Sequence, residues 1–119
     1  AVIPLMRSQG SGQIVNLGSL NAEVGRGAPN VALYHALKVA IVSLSKSLAR
    51  SEGPHGIRVN VVNPGMITLE GTSASIVESI PLGRLGRPDE VANAIAWLAS
   101  DEASYVSGAV LNINGALYV

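Results

Sequence analysis

Residues 31–65 read VALYHALKVAIVSLSKSLARSEGPHGIRVNVVNPG, and the architecture turns on how they divide. Val31 to Ser51 predicts one long helix. Leu33, Leu37, Ala40, Ile41, Leu44 and Leu48 recur at three- and four-residue steps and predict its buried stripe. Val39 and Val42 lie off that stripe, so a second contact is expected, with another layer or another subunit. Gly53-Pro54-His55-Gly56 stops the helix. Ile57-Arg58-Val59-Asn60-Val61-Val62 predicts a strand, and Asn63-Pro64-Gly65 ends it in a turn.

The same alternation extends outward. Gln13-Ile14-Val15-Asn16-Leu17 predicts an earlier strand, preceded by turn-rich Ser8–Gly12. The opening Ala1–Arg7 reads as the tail of a helix, too short and interrupted for a signal peptide. Gly18 to Asn30 is rich in Gly, Asn, Ser and Pro, hence a loop. Gly71 to Ile80 predicts a short, weak helix. Pro88 suits the first position of a further helix, with Asp89 and Glu90 at its positive end. Val91, Ala94, Ile95, Leu98 and Ala99 supply its apolar stripe. Ala109–Ile113 predicts a last strand. Strand, helix, strand, helix, strand implies parallel α/β layers with right-handed crossovers.

Composition narrows the classes. The 119 residues suffice for one domain over 1–119 with a modest core. Hydrophobic residues make up 48% but aromatic ones only 3%, with no Phe, so Val, Ile, Leu and Ala must build the core. Such residues suit parallel strands covered by helices. Eight basic and eight acidic side chains cancel, leaving no electrostatic footprint for nucleic acid or an anionic membrane. No apolar run approaches a bilayer span. Cysteine is absent, which excludes disulfides and thiolate metal sites. His35 and His55 lack acidic partners at ligand spacing, so no metal is assigned. A cytoplasmic location is the default expectation.

Tyr34 and Lys38 stand four residues apart, which sets a phenol and an ammonium on one helix face. A phenol is a poor base at neutral pH, and a fixed cation nearby favours the phenolate. Such a pair could move a proton.

Several ordered segments resemble one family. Ile14-Val15-Asn16-Leu17-Gly18-Ser19, Tyr34-xxx-Lys38 and Arg58-Val59-Asn60-Val61-Val62-Asn63-Pro64-Gly65 are similar to the carboxyl-terminal half of short-chain dehydrogenase/reductases. Pro81–Arg84, Arg87–Ala92, Ala96–Asp101, Ser107-Gly108 and Asn114-Gly115 match later landmarks. The resemblance implies a partial Rossmann-type three-layer fold, with a short parallel sheet of about three strands and covering helices. It implies hydride transfer between NAD or NADP and a small carbonyl or alcohol substrate. Tyr34 would be the acid/base. Lys38 would assist it and bind the nicotinamide ribose. Ser19 would hydrogen-bond the substrate oxygen. Pro64, Gly65 and Ile67 would lie beside the nicotinamide. The family serine usually precedes the tyrosine by thirteen residues, a spacing that falls on Asn21. The strand motif favours Ser19, with two residues inserted between Asn21 and Asn30.

Two departures bear on activity. Thr68 follows Ile67 directly and Leu69 takes the place of the expected threonine, within a Met66–Ile80 segment shorter than the usual substrate cover. The family's Gly-xxx-Gly-x-Gly loop has no counterpart after a strand and before a helix. The chain is therefore expected to begin in the helix before the fifth strand of that fold. Two functions compete: an oxidoreductase by lineage, or a non-catalytic fragment that persists by self-association. Either way a homo-oligomer is expected, because an incomplete sheet leaves an edge and helix faces uncovered.

Overall fold

The computed structural model describes residues 2–20, 22–23, 29–68 and 74–118. Asn21, Leu69 and part of the loop Gly18–Asn30 lie outside the described residues, as does the start of the helix expected over Gly71–Ile80. Helix α1 (Val2–Gln9) leads into β1 (Gly12–Leu17), α2 (Ala32–Glu52), β2 (Ile57–Pro64), α3 (Pro88–Ala99) and β3 (Val110–Ile113). Short 3-10 turns occupy Pro29–Val31, Gly53–His55, Ala74–Ser79 and Asp101–Ala103. The three strands form one parallel sheet in the order β1-β2-β3. Gly12 pairs with Ile57 and Leu17 with Val62, while Val61 pairs with Val110 and Pro64 with Ile113.

The central strand is buried on both faces, as a parallel strand between helices should be. Ile57, Val59, Val61 and Val62 are each at most 1% exposed. Side-chain bonds tell which helix covers which face. Asn16 donates to Ser45 Oγ at 2.9 Å, and Val42 packs with Val61 and Val110, so α2 lies on the Val61 face. Gly12 lies against Met6, which puts α1 on that face too. Arg58, one step along β2, points the other way. Its guanidinium donates to the carbonyls of Leu98 (2.8 Å), Ser100 (3.0 Å) and Val106 (3.2 Å). Helix α3 therefore ends on the opposite face, and the architecture is three-layered.

This arrangement corrects the expected crossovers. The chain moves the same way across the sheet in both steps, from β1 to β2 and from β2 to β3. With α2 on one face and α3 on the other, the two crossovers have opposite hands. The right-handed rule describes compact strand–helix–strand units. Helix α3 instead packs against β1 and β2, away from the strand it leads to.

The expected stripe on α2 is also corrected. Leu33, Leu37 and Leu44 are 74%, 58% and 57% exposed, and Ala40 is exposed as well. Ile41 and Leu48 are half-buried. The face against the sheet runs through Lys38, Val42, Ser45, Ala49 and Glu52, of which Val42, Ser45 and Glu52 are buried. Both faces are apolar enough to be buried, and polar partners decide between them. Ser45 meets Asn16, and Glu52 takes a bidentate bond from Arg7 of α1 at 2.7 and 2.8 Å. The Arg7 hydrogen bonds hold the Glu52 carboxyl down at about 2, well below the usual carboxylate range.

Helix α3 forms where expected. Pro88 opens it, and the Glu90 carboxylate accepts the Arg87 backbone N–H at 2.8 Å. Leu98 is buried, Val91, Ala94 and Ile95 are half-buried, and Ala99 is exposed. Arg84 and Arg87 pair with Glu90 and Asp89. The outer edge of β1 has no partner strand among the described residues.

Candidate active site

The carboxyl ends of β1 and β2 lie side by side, and the first turn of α2 passes over them. Gly18 and Ser19 follow β1 directly. The Gly18 N–H donates to the Val62 carbonyl at 2.9 Å, which carries the ladder one residue past the strand. A side chain at Gly18 would collide with the Asn63 carboxamide, so glycine is needed for close approach there. The Ser19 N–H donates to Asn63 Oδ1 at 3.2 Å. Among the described residues the Ser19 hydroxyl makes no hydrogen bond.

The turn after β2 is pinned from two sides. Gly65 N–H donates to the Ile113 carbonyl at 2.8 Å, and its Cα faces Asn114 so closely that a Cβ would sit 2.7 Å from the Asn114 Cβ. Ile67 bridges to Gly86. The Thr68 N–H donates to the Gly86 carbonyl at 2.8 Å, and the Gly86 N–H to the Met66 carbonyl at 2.9 Å. The expectation at Leu69 lies outside the described residues.

Ser19, Tyr34, Pro64, Gly65 and Ile67 line one open cleft of about 380 Å³, together with Gly18, Leu20 and Met66. Five of the six sequence-derived site residues thus share a wall. Lys38 does not line it. Its ammonium donates to the Leu17 carbonyl at 2.8 Å and lies 5.6 Å from the centre of the Tyr34 ring. Phenol and ammonium are therefore on one side of α2, as their spacing implies. Tyr34 is half exposed, and its ring meets that of His35 edge-on at 6.0 Å.

Sequence reasoning missed Asn63, Asn112 and Met66. Asn63 is 1% exposed, and its Nδ2 donates to Asn112 Oδ1 at 3.1 Å across the β2–β3 ladder. The one signal was a second asparagine, after Asn60, at an inward position of the central strand. Met66 separates the cleft from a second cavity of about 320 Å³, between the end of β3 and residues 80–90. Among the described residues no three His, Asp or Glu side chains could hold a metal ion, and no helix is long and apolar enough to cross a membrane.

A parallel sheet covered by helices on both faces, with a polar cleft beyond its strands' carboxyl ends, defines a Rossmann-type α/β protein. The family described as enoyl-(acyl carrier protein) reductase matches residues 1–117. The chain belongs to the short-chain dehydrogenase/reductase family. It is 42% identical to the 3-oxoacyl-(acyl-carrier-protein) reductase FabG of Escherichia coli over 126 aligned positions, covering 100% of this chain and 51% of that protein. It is equally 42% identical to an uncharacterized short-chain type dehydrogenase/reductase of Sinorhizobium fredii, covering 98% of this chain and 49% of that one. The FabG of Haemophilus influenzae is 40% identical, covering 100% of this chain and 51% of its own length. The chain spans about half the length of the curated relatives it matches, corresponding to their carboxyl-terminal half. In the E. coli comparison the 126 aligned positions exceed this chain's 119 residues, so the relative carries extra residues within the span.

Proposed function

We propose that residues 1–119 form the proton-transfer half of an NAD- or NADP-dependent oxidoreductase that interconverts a small carbonyl compound and its alcohol. The observation that carries this reading is the shared cleft of Ser19, Tyr34, Pro64, Gly65 and Ile67. In reduction, the Tyr34 hydroxyl donates its proton to the substrate oxygen; in oxidation it takes one back. The Ser19 hydroxyl donates a hydrogen bond to the same oxygen and fixes its direction. Lys38 stabilises the phenolate left behind. The dinucleotide, when bound, supplies or accepts the hydride.

The cleft suits a nicotinamide ring beside a small substrate, since small-molecule sites run from roughly 300 to 1,000 Å³. Pro64, Gly65 and Ile67 would flank the ring, and Lys38 would reach the ribose. The diphosphate end has no glycine cradle within these residues. In sequence, residues 66–80 are fewer than in the family's usual substrate cover, and a shorter cover would exclude water less well.

The purified 119-residue chain should therefore bind NADH and NADPH weakly, with little or no turnover. Titration of each nucleotide against Trp97 fluorescence tests this, and micromolar affinity with saturable turnover would overturn the half-site view. Wherever turnover is measured, Tyr34→Phe should lower it by at least about 10²-fold; an unchanged rate refutes the proton-transfer role.

A second reading, a non-catalytic module that self-associates, draws on the exposed Leu33, Leu37 and Leu44 of α2 and on the edge of β1, which has no partner strand among the described residues. A homo-oligomer fits both readings. A cytoplasmic setting fits the first.

A further inference from the structure

Asn63 is a buried carboxamide with both ends occupied, and neither partner needs it for the sheet. Its Oδ1 accepts from the Ser19 backbone N–H at 3.2 Å, and its Nδ2 donates to Asn112 Oδ1 at 3.1 Å. The orientation of the amide follows from its neighbours. A backbone N–H can only donate, so the atom facing Ser19 is the oxygen. The nitrogen then faces Asn112, whose oxygen must receive it. Gly18 adds a steric record of the same geometry, because a Cβ there would strike the Asn63 oxygen. Residues 18 and 19 are thus shaped around this one side chain at the point where β1 opens into the cleft.

We propose that Asn63, oriented by Asn112, positions Ser19 for its hydrogen bond to the substrate oxygen. The proposal rests on the role given to Ser19 above. The strand ladder ends at Gly18, whose N–H bonds Val62. Beyond that point the backbone of residue 19 is held by a side chain of the neighbouring strand. The Asn63 bond fixes the peptide plane entering Ser19, the Ala22 N–H, donating to the Ser19 carbonyl at 3.0 Å, fixes the one leaving it, and the two together set the direction in which the Ser19 Cβ leaves the chain. Asn112 sits beside Asn63 in the β2–β3 register and keeps the carboxamide from turning over. Carboxamide, carboxamide and serine form a relay across all three strands.

Amide hydrogen exchange on the 15N-labelled 119-residue chain tests the relay without requiring turnover. Asn63→Leu should speed exchange at Ser19 about tenfold, as for loss of one neutral hydrogen bond, and leave Gly18 unchanged. Asn63→Asp keeps an acceptor for Ser19, and the Asn112 amide can turn its NH2 toward the new carboxylate. That variant should hold Ser19 exchange within about threefold of the parent. Asn112→Ala should shift the Asn63 side-chain NH2 resonances and speed Ser19 exchange by a smaller factor than Asn63→Leu. The proposal is overturned if Asn63→Leu leaves Ser19 protected, if Gly18 and Ser19 lose protection together, or if Asn63→Asp behaves like Asn63→Leu. Should Asn63→Leu not fold, Asn112→Ala decides alone, and unchanged Asn63 NH2 resonances with unchanged Ser19 exchange overturn it. Failure of the catalytic reading shows elsewhere, as turnover insensitive to Tyr34→Phe while Ser19 still responds to Asn63.

Discussion

Replacing Arg58 by Leu removes three hydrogen bonds that tie the end of α3 and the segment following it to the central strand. Its guanidinium serves the carbonyls of Leu98, Ser100 and Val106 at 2.8 to 3.2 Å. The Leu98 and Ser100 carbonyls belong to a helix end, where intrahelical donors have run out. Bonds from a charged donor contribute more than neutral ones, but Arg58 is half-buried, so about 1 kcal/mol each is appropriate. The expected loss is about 3 kcal/mol, a large share of an ordinary domain's stability. Urea unfolding at fixed protein concentration, followed by the single tryptophan, reads it directly, because Trp97 lies one residue before Leu98 on α3. With a slope of about 2 kcal/mol per molar, the midpoint should fall by about 1.5 M. Arg58→Lys should recover about a third of the loss, since one ammonium cannot span three carbonyls. A loss below about 0.5 kcal/mol, or Lys equal to Arg, would refute the clamp.

Other expectations are briefer. The Glu52 carboxyl titrates lower folded (about 2) than its ordinary 4.5, so its contribution is fully present above about 4.5. That contribution fades as pH falls toward 2. Glu52→Gln should therefore lower stability at pH 6 and flatten the acid limb below pH 4.5; parallel curves for the two proteins would contradict it. Leu98→Ala, at a side chain 1% exposed, should cost about 2–5 kcal/mol by urea titration. If the chain self-associates through the exposed face of α2, Leu37→Glu should leave the circular dichroism spectrum intact and lower the sedimentation coefficient toward that of a monomer; an unchanged coefficient would refute association through that face.

The alternation of strands and helices was legible because β-branched runs and Gly/Pro stops are local signals. Ile57–Val62 and Pro88–Ala99 appear almost where the residues place them. The buried face of α2 was only partly legible: Val42 marked a second contact, but Leu33, Leu37 and Leu44 outweigh it on a hydrophobic count. What turns the helix the other way is a pair of polar contacts, Asn16 to Ser45 and Arg7 to Glu52, between residues 29 and 45 positions apart. The hands of the crossovers were hidden for a similar reason: Arg58 reveals the face of α3 only through carbonyls some forty residues away. Within the cleft, Ser19, Tyr34, Pro64, Gly65 and Ile67 could be picked from ordered motifs. Asn63 could not, since its meaning comes from Ser19, just past the end of one neighbouring strand, and Asn112 on the other.

If Tyr34 and Lys38 act as proposed, the bond from Lys38 to the Leu17 carbonyl links strand pairing at β1 to proton transfer. Gly18 N–H faces β2, so the alternation of a parallel ladder turns the Leu17 carbonyl outward, to the edge of the sheet that has no partner strand among the described residues. There the ammonium does what edge lysines do elsewhere, occupying a carbonyl that would otherwise recruit a stray chain. A strand arriving on that rim in register would compete for the same oxygen and free the lysine, 5.6 Å from the Tyr34 ring centre, to turn toward the phenol. Arrival of such a strand and arming of the tyrosine would then be a single event, with the lysine serving as latch before it and as helper after.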